Sequence, residues 1–384
     1  MVKALRLAMA LAAIVTVSPG CSSRVDTVDA GHGGADRAAA VGCSGKIGAM
    51  LPYGGASGID TFQMNWARVA LDTFNREHGS EFSLEPKDVD VDPAQAVAAA
   101  RELARDPSVI GVVGPRSSVA TLAVGPILDS ANLTYVSPSA TLASLTDGSL
   151  KHFFRVVAND SVQGPDIANF IASDLSPRRV LVVGDSGAYS AALSKAITSV
   201  LAEKGVEVSR SSVDLKKPDP NAVLKAMTPD TNVVVLTGDS PVAQSVADAI
   251  AAEEFHPVIV ATDNMFDLDK FDVPGAYVFS FSPSVENVDG GERLLQTYRA
   301  IFGDLEPYGG PAYVAMQVIL TAALDSCDNH EATRAGVTRG IRQVVLPSTI
   351  LGYPVAFDSR GDLTGGRFFR YRIEGGRFVA QQDR

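Results

Sequence analysis

From residue 46 onward, short apolar runs alternate with amphipathic stretches. Lys46 to Leu51 reads as a first strand, stopped by Pro52-Tyr53-Gly54-Gly55. Phe62, Trp66, Val69, Ala70 and Phe74 follow at spacings of 4, 3, 1 and 4, one face of a helix, and that face makes Trp66 a packing residue. Val89 to Val91 reads as a short second strand. Asp92-Pro93 then opens a helix over 94–105, with Asp92 as cap and Pro93 at the first position. Val109 to Val113 and Thr134 to Val136 are further strands. After Phe153-Phe154-Arg155-Val156 the series restarts, with strands at 179–183, 206–210, 233–236 and 257–261 and helices at 188–204 and 240–253. Alternating units of this kind predict parallel sheets wound on both faces by helices. Two series predict two lobes of like design.

Two of the strand ends carry candidate chemistry. Val109-Ile110-Gly111-Val112-Val113-Gly114-Pro115-Arg116-Ser117-Ser118 and Thr134-Tyr135-Val136-Ser137-Pro138-Ser139-Ala140-Thr141 each run from an apolar strand into small hydroxyl residues. The hydroxyls fall at the carboxyl end of a strand, where a helix begins and its first N–H groups are free. Side by side, two such ends make a cradle for a carboxylate. Capping alone also accounts for Ser and Thr at these positions. The pair together points to a small anionic or zwitterionic ligand, since open α/β sheets bind ligands at such ends.

The N-terminus reads as a targeting segment. Lys3 and Arg6 precede an apolar stretch from Leu7 to Val17, too short to span a membrane, and Ser18-Pro19-Gly20-Cys21 follows. Gly20-Cys21 resembles the lipobox of bacterial lipoproteins, which implies a signal peptide over 1–20 and a lipid on Cys21. An ordinary secretory signal with a bystander Cys21 is the alternative. Residues 21–44, rich in Gly, Ala, Ser and Asp, read as a tether from an extracytoplasmic membrane surface.

The remainder is long enough for two domains. Net charge is −11, or −13 once residues 1–20 take away the two cations Lys3 and Arg6. No basic stripe appears, which argues against nucleic acid. In an exported chain the two remaining cysteines, Cys43 and Cys327, are expected to pair, with buried free thiols as the alternative.

Catalytic and metal signatures are weak. Gly42-Cys43-Ser44-Gly45-Lys46-Ile47 lacks the first Gly and the Ser/Thr of a phosphate loop. Gly184-Asp185-Ser186-Gly187 opens a helix and lacks a nucleophile elbow. The five His residues are scattered without ligand spacing. The expectation is a binding protein without metal or other cofactor, not an enzyme.

Taken in order, Ile47-Gly48-Ala49-Met50, Asp92-Pro93-Ala94-Gln95-Ala96-Val97, Val112-Val113-Gly114, Val136 to Thr141, Phe153-Phe154-Arg155, Gln163-Gly164-Pro165 and Phe357 to Asp362 resemble the branched-chain amino-acid binding proteins. These are the type I periplasmic substrate-binding subunits of ABC importers. The resemblance implies an α/β fold of two doubly wound parallel-sheet lobes joined by three hinge crossings. The lobes would comprise 45–155 with 284–350, and 156–283 with 351–384. It implies an ABC permease as partner and an amino acid or similar zwitterion as ligand. It places the carboxylate-binding hydroxyls on Ser118 and Thr141, and ligand-contacting backbone on Ser139 and Ala140. It places an aromatic wall on Tyr189 and the acid that pairs with the ligand ammonium on Asp263. A second-lobe position often Tyr in the family falls on Asp239, which either faces the cleft or caps the helix at Ser240-Pro241. The first-lobe aromatic falls on Tyr53 or, in direct register, on Ser57. Two rival functions remain: a sensor of the same fold reporting to a signalling partner, and an exported α/β enzyme.

Overall fold

Apolar runs become strands wherever both faces of a sheet are covered. The first lobe, in the computed structural model, carries β1 (Ser44–Leu51), α1 (Phe62–His78), β2 (Glu81–Asp88), α2 (Pro93–Arg105), β3 (Val109–Val113), α3 (Ser118–Ser130), β4 (Tyr135–Ser137) and β5 (Phe153–Arg155). The second carries α4 (Asp160–Phe170), β6 (Arg179–Gly184), α5 (Ala188–Glu203), β7 (Glu207–Ser212), α6 (Pro220–Ala226), β8 (Thr231–Leu236), α7 (Ser240–Ala251), β9 (Val258–Ala261) and β10 (Tyr277–Ser280). The chain then forms α8 (Glu292–Phe302), α9 (Gly309–Asp325) and α10 (Arg334–Gly340), before β11 (Phe369–Ile373) and β12 (Phe378–Ala380). The structure describes residues 42–381 apart from 55–60, 289–290, 304 and 306–307. The signal segment, Cys21, the tether as far as residue 41, and Ser57 lie outside the described residues.

The first sheet is parallel in the order β2-β1-β3-β4-β5. The second repeats that order as β7-β6-β8-β9-β10 and adds β11 and β12 antiparallel at the β10 edge. Each sheet therefore reverses winding once, between β1 and β3 and between β6 and β8, and opens a crevice at its carboxyl edge there. Three crossings join the lobes: β5 to α4, β10 towards α8, and the stretch after α10 into β11.

The strand expected at Val89 to Val91 lies elsewhere. β2 is the polar segment Glu81–Asp88, in which only Phe82 is buried. It is the edge strand of its sheet, so Pro86 is tolerated and no long apolar run is needed. Val89 is buried just past its end, and its N–H donates to the Leu51 carbonyl at 3.4 Å.

Helix α9 packs against α1, which explains its nearly unbroken apolar sequence. A Cβ on Gly309 would stand 1.8 Å from the Trp66 ring, so α9 begins with glycine at that approach. Trp66 is buried and stacks on Tyr298 at 4.5 Å, as its place on the helix face requires. Cys43, at the entry of β1, is disulfide-bonded to Cys327, just past α9, with Cα atoms 6.2 Å apart. The bridge closes a loop across 284 positions and thereby restricts the unfolded chain.

Arg155, at the end of β5, is fully buried. Its Nε donates to Asp362 Oδ1 at 2.8 Å and its Nη2 to Asp362 Oδ2 at 3.2 Å. Nη1 donates to the carbonyls of Ala140 and Leu142 at 3.1 and 2.9 Å, and Nη2 also to Thr146 Oγ1 at 2.5 Å. Asn159 Nδ2 donates to Asp362 as well, at 2.5 Å. Burial alone would push the Asp362 carboxyl up; the hydrogen bonds and charge of Arg155, with those of Thr146 and Asn159, outweigh it and hold the group below its usual range. Asp362→Ala leaves a buried guanidinium unpaired and is expected to lower unfolding free energy by about 3–5 kcal/mol in denaturant titrations. Because the folded-state carboxyl is the more acidic, its contribution is present above about pH 4 and is lost as pH falls through the carboxylate range. A variant as stable as the parent at pH 7 would refute this role.

Candidate functional site

The candidate residues sit at the carboxyl ends of strands in both sheets. In the first lobe β3 ends at Gly114, whose φ of +98° and whose 2.3 Å approach of a would-be Cβ to the Met50 carbonyl oxygen admit only glycine. A cis Gly114-Pro115 bond follows. Ser117 caps α3 by accepting from the Ala120 N–H, and Ser118 is the first helical residue. Ser118 is nearly buried and its Oγ accepts from the Leu142 N–H at 3.2 Å. Ser139 Oγ donates to the Arg116 carbonyl at 2.9 Å and accepts from Gln63 Nε2 of α1 at 3.0 Å. These bonds tie the β3–α3 and β4–β5 connections into one polar rim.

Within that rim the backbone of Ala140 is engaged on both sides. Its N–H donates to Ser137 Oγ at 2.9 Å and its carbonyl accepts from Arg155. Thr141 is buried and its carbonyl accepts from the Asp160 N–H at 2.9 Å. Arg116 Nε pairs with Asp90 at 2.5 Å at the outer edge. Tyr53 is partly buried behind β1, with its N–H on Asp88 at 2.9 Å.

The second lobe presents carboxylates. Asp263 begins a single 3₁₀ turn after β9 and is 3% exposed. Its Oδ1 accepts from Tyr189 Oη of α5 at 2.6 Å and from Gln163 Nε2 of α4 at 2.7 Å. Burial pushes this carboxyl up to about 6, against the pull of the Tyr189 and Gln163 hydrogen bonds. Asp160, first residue of α4, is buried beside it and is pushed up by burial and then by the Asp263 charge, with Thr141 and Arg155 opposing. Asp185 Oδ1 accepts from the Gly187 N–H at 2.7 Å, and its Oδ2 from the Asp239 N–H at 3.1 Å. One carboxylate thus occupies the starts of both α5 and α7. Asp239 stands at the N-cap of α7 without a side-chain capping bond and is exposed. Partial desolvation of its carboxyl and the nearby Asp185 push it up, while Lys270 and Arg116 of the first lobe pull it down.

Ser118, Ser139, Ala140 and Thr141 therefore gather on one lobe, and Tyr189, Asp239 and Asp263 on the other. Asp160 connects the two groups. Reading the sequence did not single out Asp160, Gln163, Gln63 or Arg116 as site residues. Gln163 stands in a motif that matches the family, whereas a first-turn Asp such as Asp160 reads as a favourable charge at a helix start. Among the described residues no three His, Cys, Asp or Glu side chains are placed to hold a metal, and no helix is long and apolar enough to cross a membrane.

Residues 44–376 match the family model described as periplasmic binding protein. The chain belongs to that family. Its members bind solutes and are not enzymes. The protein is 25% identical over 346 residues to the Leu/Ile/Val-binding protein BraC3 of Rhizobium johnstonii, covering 88% of this chain and 93% of that one. It is 25% identical over 284 residues to the Leu/Ile/Val/Thr-binding protein of Salmonella typhimurium, 72% of this chain and 76% of that one. The leucine-binding protein LivK of Thermotoga maritima superposes with a TM-score of 0.78 at 22% identity, covering 88% and 97% of the two chains. LivJ of Streptococcus pneumoniae in complex with isoleucine gives 0.75 at 22% identity over 88% and 99%. The two-lobed periplasmic binding protein fold is thereby established for the chain.

Within this binding protein Tyr189 supplies the shortest donor to Asp263. Tyr189→Phe removes it and is expected to raise the Asp263 carboxyl above about 6, read by carbon-13 NMR of the Asp side chains. An unchanged or lowered midpoint would show that the hydroxyl does not stabilise the carboxylate.

Proposed function

We propose that the protein captures an amino acid or closely related zwitterion outside the cytoplasm and hands it to an ABC permease. The observation that carries this reading is Asp263, a carboxylate buried in the second lobe and steadied by Tyr189 and Gln163, opposite hydroxyl-bearing strand ends in the first. A carboxylate at that depth is suited to an ammonium taken out of water. Ser118 and Thr141 would receive the ligand carboxylate near the start of α3. Ser139 and Ala140 would line the same rim. Tyr189 would wall the side-chain pocket and Asp239 would bias it towards side chains that donate hydrogen bonds or carry positive charge. Two relatives are named as binders of leucine, isoleucine and valine, which supports the amino-acid class.

A thermal-shift screen over the twenty L-amino acids, simple amides, urea and polyamines is expected to give its largest stabilisation with an amino acid, since a ligand bound only by the folded state raises the melting temperature. Asp263→Asn keeps the shape and removes the charge, and is expected to weaken that ligand by about 2–5 kcal/mol in calorimetry. Affinity indifferent to Asp263→Asn would end the amino-acid reading. In the same series Asp239→Asn should reorder leucine, glutamine and arginine if Asp239 faces the ligand, and leave their ranking unchanged otherwise.

We further propose that Cys21 carries a lipid that anchors the protein to the membrane. Cys21→Ser is then expected to move it from the membrane to the soluble fraction of the cell. Retention of the variant in membranes, with unmodified Cys21 in the parent by mass spectrometry, would exclude the anchor.

A further inference from the structure

We propose that Asp160 is a second carboxyl of the ligand site, which accepts an N–H from a primary ammonium held by Asp263 and loses a proton to solvent as that ammonium arrives. The inference rests on the amino-acid reading above and adds a residue and a ligand class to it. Asp160 is 4% exposed, and neither of its carboxyl oxygens has a hydrogen-bond partner among the described residues. Its N–H is bound to the Thr141 carbonyl of the first lobe, so the side chain stands where the two lobes meet. One turn along α4, Gln163 gives its amide N–H to Asp263 while its own Oε1 is buried and unpartnered. Asp263, Asp160 and Gln163 Oε1 thus offer three acceptors, the number of N–H groups on a primary ammonium.

Buried polar groups are normally paired, and an unpaired one needs a partner to explain it. Here the unpaired groups are acceptors, and a cationic donor is what they lack. The charged and titratable groups that act on Asp160 are Asp263 from the turn after β9, Tyr189 from α5 and Arg155 from β5. Arg155 is the sole cation of that set, and its guanidinium is already committed to Asp362, Thr146 and two carbonyls. Two buried carboxyls without a free cation do not both ionise. Asp263, with two donors on one oxygen, carries the charge, and Asp160, with no well-formed hydrogen bond to either oxygen and only the Thr141 hydroxyl nearby to favour ionisation, carries the proton. An incoming ammonium supplies the missing positive charge, Asp160 ionises, and its proton leaves to water.

Calorimetry in two buffers of different ionisation enthalpy, at pH 7, counts the protons released. The probe is whichever of L-leucine, L-isoleucine, L-valine, L-alanine, L-glutamine and L-arginine stabilises the protein most. The parent is expected to release about one proton per ligand bound, and Asp160→Asn none. The N-methyl derivative of the same amino acid has one N–H fewer and is expected to bind the parent at least about tenfold more weakly, with that gap reduced in Asp160→Asn. Absence of proton release from the parent overturns the exchange without any variant being needed. Equal release from parent and Asp160→Asn, with binding intact, overturns the role of Asp160 while leaving the amino-acid reading standing. Failure of every probe to bind overturns both.

Discussion

The buried pair of Arg155 and Asp362 is the constraint on which the rest of the arrangement depends. It joins residues 207 positions apart, at the point where the first crossing leaves β5 and the third returns towards β11. Isolated, a guanidinium at this depth would be strongly unfavourable, and a carboxylate similarly so. Together with Thr146, Asn159 and the carbonyls of Ala140 and Leu142 they satisfy one another. The same carbonyls belong to the loop that carries Ser139 and Thr141. The connection after β5 and the rim at Ser139 and Thr141 are therefore held by one polar network.

The polarity of the cleft follows from where helix starts are left available. In the second lobe Asp185 takes an N–H from the start of α5 and one from the start of α7. Those ends are answered from within the protein, and the carboxylates left over are Asp263 and Asp160, both buried, and Asp239, exposed at the start of α7. In the first lobe the start of α3 is answered by the neutral hydroxyl of Ser117, and Ser118 and Thr141 are neutral as well. A lobe with a helix start and hydroxyls meets a lobe with surplus carboxylates. On the proposed reading such a dipole would orient a zwitterion, carboxylate to the first lobe and ammonium to the second.

Much of the fold was legible because its strands are covered on both faces and so read as apolar runs. β3, β6, β8 and β9 stand where those runs predict them, and Asp92-Pro93 opens α2 as a cap and first residue. The failure at Val89 to Val91 has the same root. An edge strand such as Glu81–Asp88 need not be apolar, and a search for buried strands passes over it. The site was legible in part. Hydroxyls at the ends of β3 and β4 were visible as strand-to-helix junctions, whereas Tyr189, Asp239 and Asp263 entered only through a family resemblance. Gln163 and Asp263, 100 positions apart, and Gln63 and Ser139, 76 apart, are brought together by topology, and no local pattern announces them.

Asp160 shows how far local rules reach. At the first position of a helix an Asp is unremarkable, because its charge suits the free N–H groups there. Asn159, one residue earlier, already meets that need by accepting the Ser161 N–H at 2.7 Å and closing the cap. The carboxyl of Asp160 is therefore released from helix duty and turned to the interior, where it meets Asp263 instead of water. A stabilising role would place well-aligned donors against it; among the described residues neither oxygen has one, and only the Thr141 hydroxyl acts on it from nearby. On the proposed reading, a cation arriving with the ligand supplies the donor that a group buried at this cost lacks within the folded chain.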